Sequence, residues 1–257
     1  MTEARRGGRL SPWILTPHLN PNASLRMFCL PYAGGDTWVF HDWHRALPDY
    51  VEVCPIRLPG RGSRIAEPPF SVIGDLVDAL GAELDGLLDL PFVIFGHSMG
   101  ALIGFELVRH LRKTSGRSPL MLCVGACQAP QNVSFRPPIS KLGPYIMLEV
   151  LRGRYGAAMD DLFHNEALLD LTLPIMRADF SMVETYAYVD DDPLDCPIVA
   201  YRGTADGTLN AGAMRAWQRQ TSGNFRHHDI VGDHFFLTGA KPALLRMLAT
   251  DLDWSIS

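Results

Sequence analysis

Cysteine is scarce and odd in number: Cys29, Cys54, Cys123, Cys127 and Cys196 are the five in a chain of 257 residues. An odd count, mostly inside or beside apolar strand-like runs, argues against a disulfide framework and fits buried free thiols in a reducing compartment, so the expected location is cytoplasmic. Cys123 and Cys127 are four apart in a predicted strand and would face the same side. No second Cys or His pair accompanies them, so no zinc site is expected. No run of about 18 apolar residues exists, which excludes a membrane-spanning helix. The arginines of "MTEARRGGRLSPW" are not followed by the apolar stretch of a secretory signal. Basic residues are not in excess either: the net charge is -5, which gives no support to nucleic-acid binding. Internal repeats and low-complexity tracts are absent. What remains is 47% apolar and 20% charged, enough for one sizeable soluble domain or one domain with an insertion.

Short apolar runs recur along that chain: "LRMFCL" (25–30), "VEVCPIR" (51–57), "FVIFG" (92–96), "LMLCVGA" (120–126), "PIVAYRG" (197–203) and "RHHDIVG" (226–232). Continuous runs of this length suit strands buried on both faces. Helix-like segments separate most of them, at 71–88, 100–112, 210–221 and 241–252, the first spacing Val72, Leu76, Leu80 and Leu84 at helical intervals. The alternation predicts an α/β fold with a mostly parallel sheet. It breaks between about 130 and 193, where helix-like pieces follow a proline-rich entry, "PQNVSFRPP", and precede an acidic exit, "DDDPLD". An insertion of that length reads as a helical lid, or as helices that only cover the sheet. The expected organisation is an N-terminal arm (1–24), a core (25–129 and 194–257) and a helical lid (130–193), the arm being poorly ordered.

Gly96-His97-Ser98-Met99-Gly100 falls between a predicted buried strand and a predicted helix. Gly-x-Ser-x-Gly in that context is a nucleophile elbow: the serine sits on a sharp turn, and the flanking glycines let the backbone crowd its neighbours without a Cβ clash. The Met99 N–H, at the helix start, would point toward a developing oxyanion. A serine nucleophile needs a base and a group that orients it, in the chain order Ser, Asp or Glu, His. Asp206 follows the strand "PIVAYRG", and His234 follows the last strand in "IVGDHFFL". Asp192 and Asp195 lie before their strand, at the wrong end of the sheet. His227 and His228 are adjacent in a strand and would face opposite sides. His97 reads as a packed neighbour of the serine. His41 and His44 could share a helix face but lack further ligands for a metal. A second oxyanion donor should come from "CLPYAGGDTWVF" after the first strand, with the Ala33 N–H chosen and Tyr32 beside it. No G-x-x-x-x-G-K-[ST] or G-x-G-x-x-G is present, so these glycines do not make a phosphate loop. "RLPGRGSR", after the second strand, reads as a loop over the site.

Taken together and in order, "LPYAGG", "RLPGRGSRIAEPP", "GHSMGA", "QAPQ…RPPIS", "RADFSMVETYAY" and "GDHFFL" resemble the discrete type II thioesterases that accompany polyketide and nonribosomal peptide synthases, members of the α/β-hydrolase superfamily. The similarity runs from about residue 26 to 250 and includes the lid. It implies acyl groups tethered by thioester to the phosphopantetheine arm of an acyl or peptidyl carrier protein as substrate, and removal of stalled or mis-primed units as task. It also implies Ser98, Asp206 and His234 as triad, with the Ala33 and Met99 amides as oxyanion donors. Three positions depart from the pattern. Asp233 stands where the family usually has glycine, Tyr32 where it often has histidine, and Gln128 where arginine is common.

The expected chemistry needs no metal or redox cofactor. Acyl-chain contacts are expected from Tyr32 and from the lid residues Tyr145, Leu148, Phe180, Val183 and Tyr186. The expected partner is a carrier protein, with no nucleic acid and no membrane, and the enzyme is expected to act as a monomer. Since carrier proteins are typically acidic, Arg57, Arg61 and Arg64, with Arg136, Lys141, Arg152 and Arg154 of the lid, are candidates for steering. An esterase or lipase on free esters, a cyclising thioesterase and a non-catalytic α/β scaffold are the competing readings.

Overall fold

The structure is a computed structural model describing residues 11–15, 20–133, 137–156 and 164–255. Its centre is a six-stranded sheet, every neighbouring pair parallel, in the order β2-β1-β3-β4-β5-β6. The strands are β1 (Leu25–Leu30), β2 (Val51–Pro55), β3 (Phe92–His97), β4 (Met121–Gly125), β5 (Ile198–Gly203) and β6 (Phe225–Ile230). The first four are buried at every position, as their mainly apolar runs require, and the two charges within them, Arg26 of β1 and Glu52 of β2, pair with each other. β2 and β6 are the two edge strands, and of these "FRHHDI" of β6 is half exposed along most of its length.

Two helices cover one face. In α1 (Ile73–Leu84), Ile73, Leu76, Val77, Leu80 and Leu84 are buried at the 3.6-residue spacing of one helical face. In α2 (Met99–Ser115) the apolar surface is broader, and Gly116 ends it in the left-handed conformation (φ +63°) that glycine adopts without strain. The other face packs on Phe40, Trp43 and the C-terminal helix, through Leu244, Leu245, Leu248 and Leu252. Cys123 lies in that second layer, while Cys127 lies in the layer under α1 and α2. The expectation that they share a side is therefore corrected. The strand ends at Gly125, and Ala126 takes φ +50°, which breaks the two-residue alternation.

Between β4 and β5 the described residues form no strand but two main helices, α3 (Pro144–Tyr155) and α4 (Glu166–Glu184). They share a small core of Ile139, Met147, Leu151 and Met176, while Met182 of α4 joins the main core. Glu184 accepts hydrogen bonds from the Ile139 and Ser140 N–H groups, and Arg177 donates to the Ser140 and Leu142 carbonyls. The entry segment of the insertion is thereby fastened to α4. After β5 come α5 (Ala211–Arg215), α6 (Phe236–Gly239) and α7 (Lys241–Ser255). Part of the N-terminal arm is docked: Trp13 and Ile14 are buried, and Ile14 bridges Ile56.

The strand order reverses between β1 and β3. Chain segments leaving their C-terminal ends therefore diverge and leave a crevice, the usual ligand position in an open parallel sheet. Leu30 and Gly96 are register partners there, so the loop after β1 and the turn after β3 emerge side by side.

Candidate active site

Ser98 occupies the turn between β3 and α2 with φ 56° and ψ −117°, a backbone conformation strained for any residue with a Cβ. Its N–H donates to the Gly125 carbonyl at 2.7 Å, tying the turn to β4. The flanking glycines are obligatory on steric grounds. A Cβ on Gly96 would lie 2.1 Å from the Gly100 carbonyl oxygen, and one on Gly100 would lie 2.3 Å from that of Leu30.

The turns after β5 and β6 deliver the other two groups. His234 Nε2 is 3.1 Å from Ser98 Oγ, and its Nδ1 is 2.8 Å from Asp206 Oδ2. The second Asp206 oxygen accepts from the Thr208 N–H and hydroxyl at 2.9 and 2.6 Å, so the carboxylate cannot swing away from the imidazole. Burial pushes the Asp206 carboxyl up, but the hydrogen bonds from His234 and Thr208 outweigh it and hold it below the ordinary carboxylate value. His97 is wholly buried, and its Nε2 is 2.8 Å from the His234 carbonyl oxygen, which makes Nε2 the protonated nitrogen. Burial, and next the proximity of His234, lower the His97 pKa to about 3, so the ring stays neutral. Asp233, in place of the family glycine, accepts from the Phe235 N–H at 2.8 Å in an exposed turn.

The loop Tyr32–Gly35 lies against this constellation. Gly35 N–H donates to the Tyr32 carbonyl at 2.8 Å and Gly34 has φ +78°, the pattern of a type II turn. Tyr32 packs edge-on against Phe235 and His97, and burial raises its phenol pKa. A small cavity of ≈ 70 Å³ sits directly over Ser98. Its wall includes Ser98, His234, Ala33 and Met99, together with Leu151, Tyr155, Met176, Phe180 and Val183 from the insertion. The Tyr155 ring lies 4.7 Å from the His234 ring, centroid to centroid.

Of the expected acyl contacts, Tyr32, Phe180 and Val183 line this cavity and three residues do not. Tyr145 is 62% exposed on the outer side of α3. Leu148 is buried but is not part of the wall, whose α3 side is formed by Leu151 and Tyr155. Tyr186 faces a separate groove, its hydroxyl donating to Glu106 at 2.7 Å. The sequence reading chose aromatic and apolar residues without fixing the helix phase. Leu151 and Tyr155, and Met176, Phe180 and Val183, are related by i+3 and i+4 steps, which groups each set on one helix face without saying which face meets the cavity.

Of the three arginines of the loop after β2, Arg61 and Arg64 are buried and Arg57 is half-buried, and all three are paired within the chain. Arg61 is 4% exposed and pairs bidentately with Asp179 of α4 at 2.7 and 3.0 Å. Arg64 pairs with Glu67 and covers the Trp13 ring, and Arg57 pairs with Asp36. They hold the loop and do not present charge to a partner. Arg136 lies outside the described residues. Lys141 and Arg152 are exposed and Arg154 is half-buried. Among the described residues there is no group of three or more His, Cys, Asp or Glu side chains suited to a metal ion, and no helix long and apolar enough to cross a membrane.

A parallel sheet bearing a strained serine turn at its switch point, with a histidine and a buried aspartate arriving from later strands, defines an α/β-hydrolase fold. Residues 25–252 match the Thioesterase domain family. The chain belongs to the thioesterase family and is a thioester hydrolase. It is 35% identical over 244 residues to the gramicidin S biosynthesis protein GrsT of Aneurinibacillus migulanus, covering 95% of each chain. It superposes on the RedJ thioesterase of the prodiginine pathway in Streptomyces coelicolor with a TM-score of 0.83 and 35% identity, over 89% of this chain and 90% of that one. Against YbtT, the type II thioesterase of the yersiniabactin pathway, the TM-score is 0.81 at 28% identity, over 96% and 98%. The resemblance to discrete type II thioesterases drawn from the sequence therefore extends through the whole fold.

Proposed function

We propose that this enzyme hydrolyses acyl groups from the phosphopantetheine arm of acyl or peptidyl carrier proteins, clearing aberrant or stalled units from a polyketide or nonribosomal peptide synthase. The observation that carries the reading is the hydrogen-bonded series Ser98–His234–Asp206 beneath an apolar cavity roofed by the insertion. Residues 130–193 act as the lid of that cavity.

His234 takes the Ser98 proton as Oγ attacks the thioester carbonyl, and the carbonyl oxygen becomes an oxyanion. Asp206 fixes the imidazole tautomer and stabilises the imidazolium. The Met99 N–H, in the first turn of α2, has no intrahelical acceptor and faces the oxyanion. The Ala33 N–H is the second donor, turned outward because the carbonyl on the other side of its peptide, that of Tyr32, is engaged by Gly35. The C–S bond then breaks, the pantetheine sulfur leaves readily as a thiolate because its thiol has a pKa of about 8.5, and it takes up the proton held by the His234 imidazolium, which returns the imidazole to its neutral form. Water, deprotonated by His234, attacks the acyl-serine and releases a free acid, and Ser98 regains its proton.

The test is hydrolysis of one acyl group presented on a carrier protein, on free pantetheine and as a simple oxygen ester. The carrier thioester should show the highest kcat/KM, and Ser98→Ala should abolish turnover of it in a folded protein. A preference for the oxygen ester would refute the assignment in favour of a small-molecule esterase.

A further inference from the structure

Asp179 is the single wholly buried carboxylate on the cavity-facing side of α4, between Met176 and Val183. An ionised side chain in that apolar setting needs partners, and it has two residues that supply three hydrogen bonds. Oδ2 accepts from the Gly34 N–H at 2.7 Å, and both oxygens accept from Arg61. Arg61 in turn donates to the Gly35 carbonyl at 2.8 Å. The contact therefore joins the lid helix, the loop after β2 and the loop after β1 at one point.

The peptide held by Asp179 is the central one of the Tyr32–Gly35 turn. Type I and type II turns differ mainly by a flip of that peptide, and the flip alters the backbone on both sides of it. With Gly34 N–H directed at α4, the central peptide is held in the type II form, and the loop is pinned at the residue next to Ala33, which lines the cavity wall with Ser98. Met176, three residues before Asp179 on the same helix, packs against Gly34: a Cβ there would sit 3.4 Å from Met176 Cγ.

We propose that Asp179 is a positioning residue for the oxyanion hole: through Gly34 N–H and Arg61 it holds the Ala33 amide in place, so that the hole is complete only while the lid helix is docked. This rests on Ala33 being an oxyanion donor, as in the proposed function. It means that lid docking and transition-state stabilisation are one event, and that a substrate which keeps α4 lifted is bound without being turned over.

The experiment is a double-mutant cycle with steady-state kinetics on a short acyl thioester of N-acetylcysteamine. Ala33→Pro deletes the amide donor at a turn position proline favours. It should lower kcat about 100-fold, the scale of a lost oxyanion donor. Unchanged kcat for Ala33→Pro alone would remove Ala33 as a donor and the coupling with it, whatever Asp179→Asn does. Asp179→Asn, which removes the charge paired with Arg61 and weakens the hold on the Gly34 N–H, should alone lower kcat at least about tenfold with KM within about threefold, because the oxyanion bond it positions is made only in the transition state. In the Ala33→Pro background the same change should cost less than about threefold, since both act on one group. Equal losses in the two backgrounds would overturn the coupling. A second variant separates positioning from stability. Arg61→Met with Asp179→Leu replaces the buried ion pair by apolar groups of similar size, an exchange that preserves folding in other buried pairs. A folded double variant with kcat still reduced at least about tenfold supports positioning through Gly34, by the same transition-state criterion. Recovery of wild-type kcat would show that only the fold had needed the pair.

Discussion

At the scale of single residues, the structure gives two neighbours in the elbow opposite duties. Ser98 is strained and reachable from the cavity. His97 is sealed beneath it and holds the backbone of the histidine that serves the serine. The unfolded chain protonates this histidine near 6.5, whereas the folded protein does so only at about 3. Between those limits the unfolded state binds the extra proton, so stability rises with pH across the window and is lost as acid lowers the pH toward 3. The contribution is complete above about pH 6.5, the unperturbed histidine value. His97→Gln keeps a donor for the His234 carbonyl and removes the titration. Urea unfolding from pH 7 to pH 4 should show the wild type losing stability more steeply than the variant, by up to about 1.4 kcal/mol per pH unit. Parallel curves would mean that the His97 ring gains its proton in the native state.

At the scale of elements, the site is built where chain segments end and not where they are regular. β1 and β3 contribute adjacent C-terminal ends, and the later strands β5 and β6 add the acid and the base from the same edge. The helices of the insertion contribute only one face each. That face determines which side chains meet an acyl chain. Phe180→Ala should enlarge the cavity and shift preference toward longer acyl groups, by roughly fourfold in kcat/KM for each further methylene buried, at about 0.8 kcal/mol apiece. Tyr145→Ala, on the outer side of α3, should leave the chain-length profile unmoved. A series of acyl thioesters of increasing length measures both. The assignment of the wall fails if Tyr145 shifts the profile and Phe180 does not.

At the scale of the whole molecule, a net charge of -5 must be reconciled with the acidic carrier protein proposed as partner. The arginine-rich loop after β2 does not answer this, because its three guanidiniums are spent on Asp36, Glu67 and Asp179. Among the described residues of the insertion, Lys141 and Arg152 are exposed cations on the side of the molecule that roofs the site. Reversing both to glutamate should reduce the ratio of kcat/KM for a carrier-bound acyl group to that for the same acyl group on free pantetheine, several-fold at low ionic strength. The reduction should fade as salt shortens the screening length to below about 10 Å. A ratio unaffected by reversal or by salt would point to apolar contacts as the basis of recognition.

The order of strands and helices, the elbow and the positions of Asp206 and His234 were legible in the sequence, because each is a local signal. A buried strand needs a continuous apolar run, a sharp serine turn needs Gly96 and Gly100, and groups at strand ends follow the strands that carry them. Which lid residues line the cavity was not legible, since Leu148 and Leu151 are equally apolar and only the phase of α3 against the sheet separates them. Arg61 and Asp179 show the limit most clearly. They are 118 positions apart, and in the sequence Arg61 reads as a loop cation available to steer a partner while nothing marks Asp179. Their pairing exists only because the insertion folds back over the loop after β1 and removes both from water, and no local pattern records which distant chain segment will supply a buried charge with its partner.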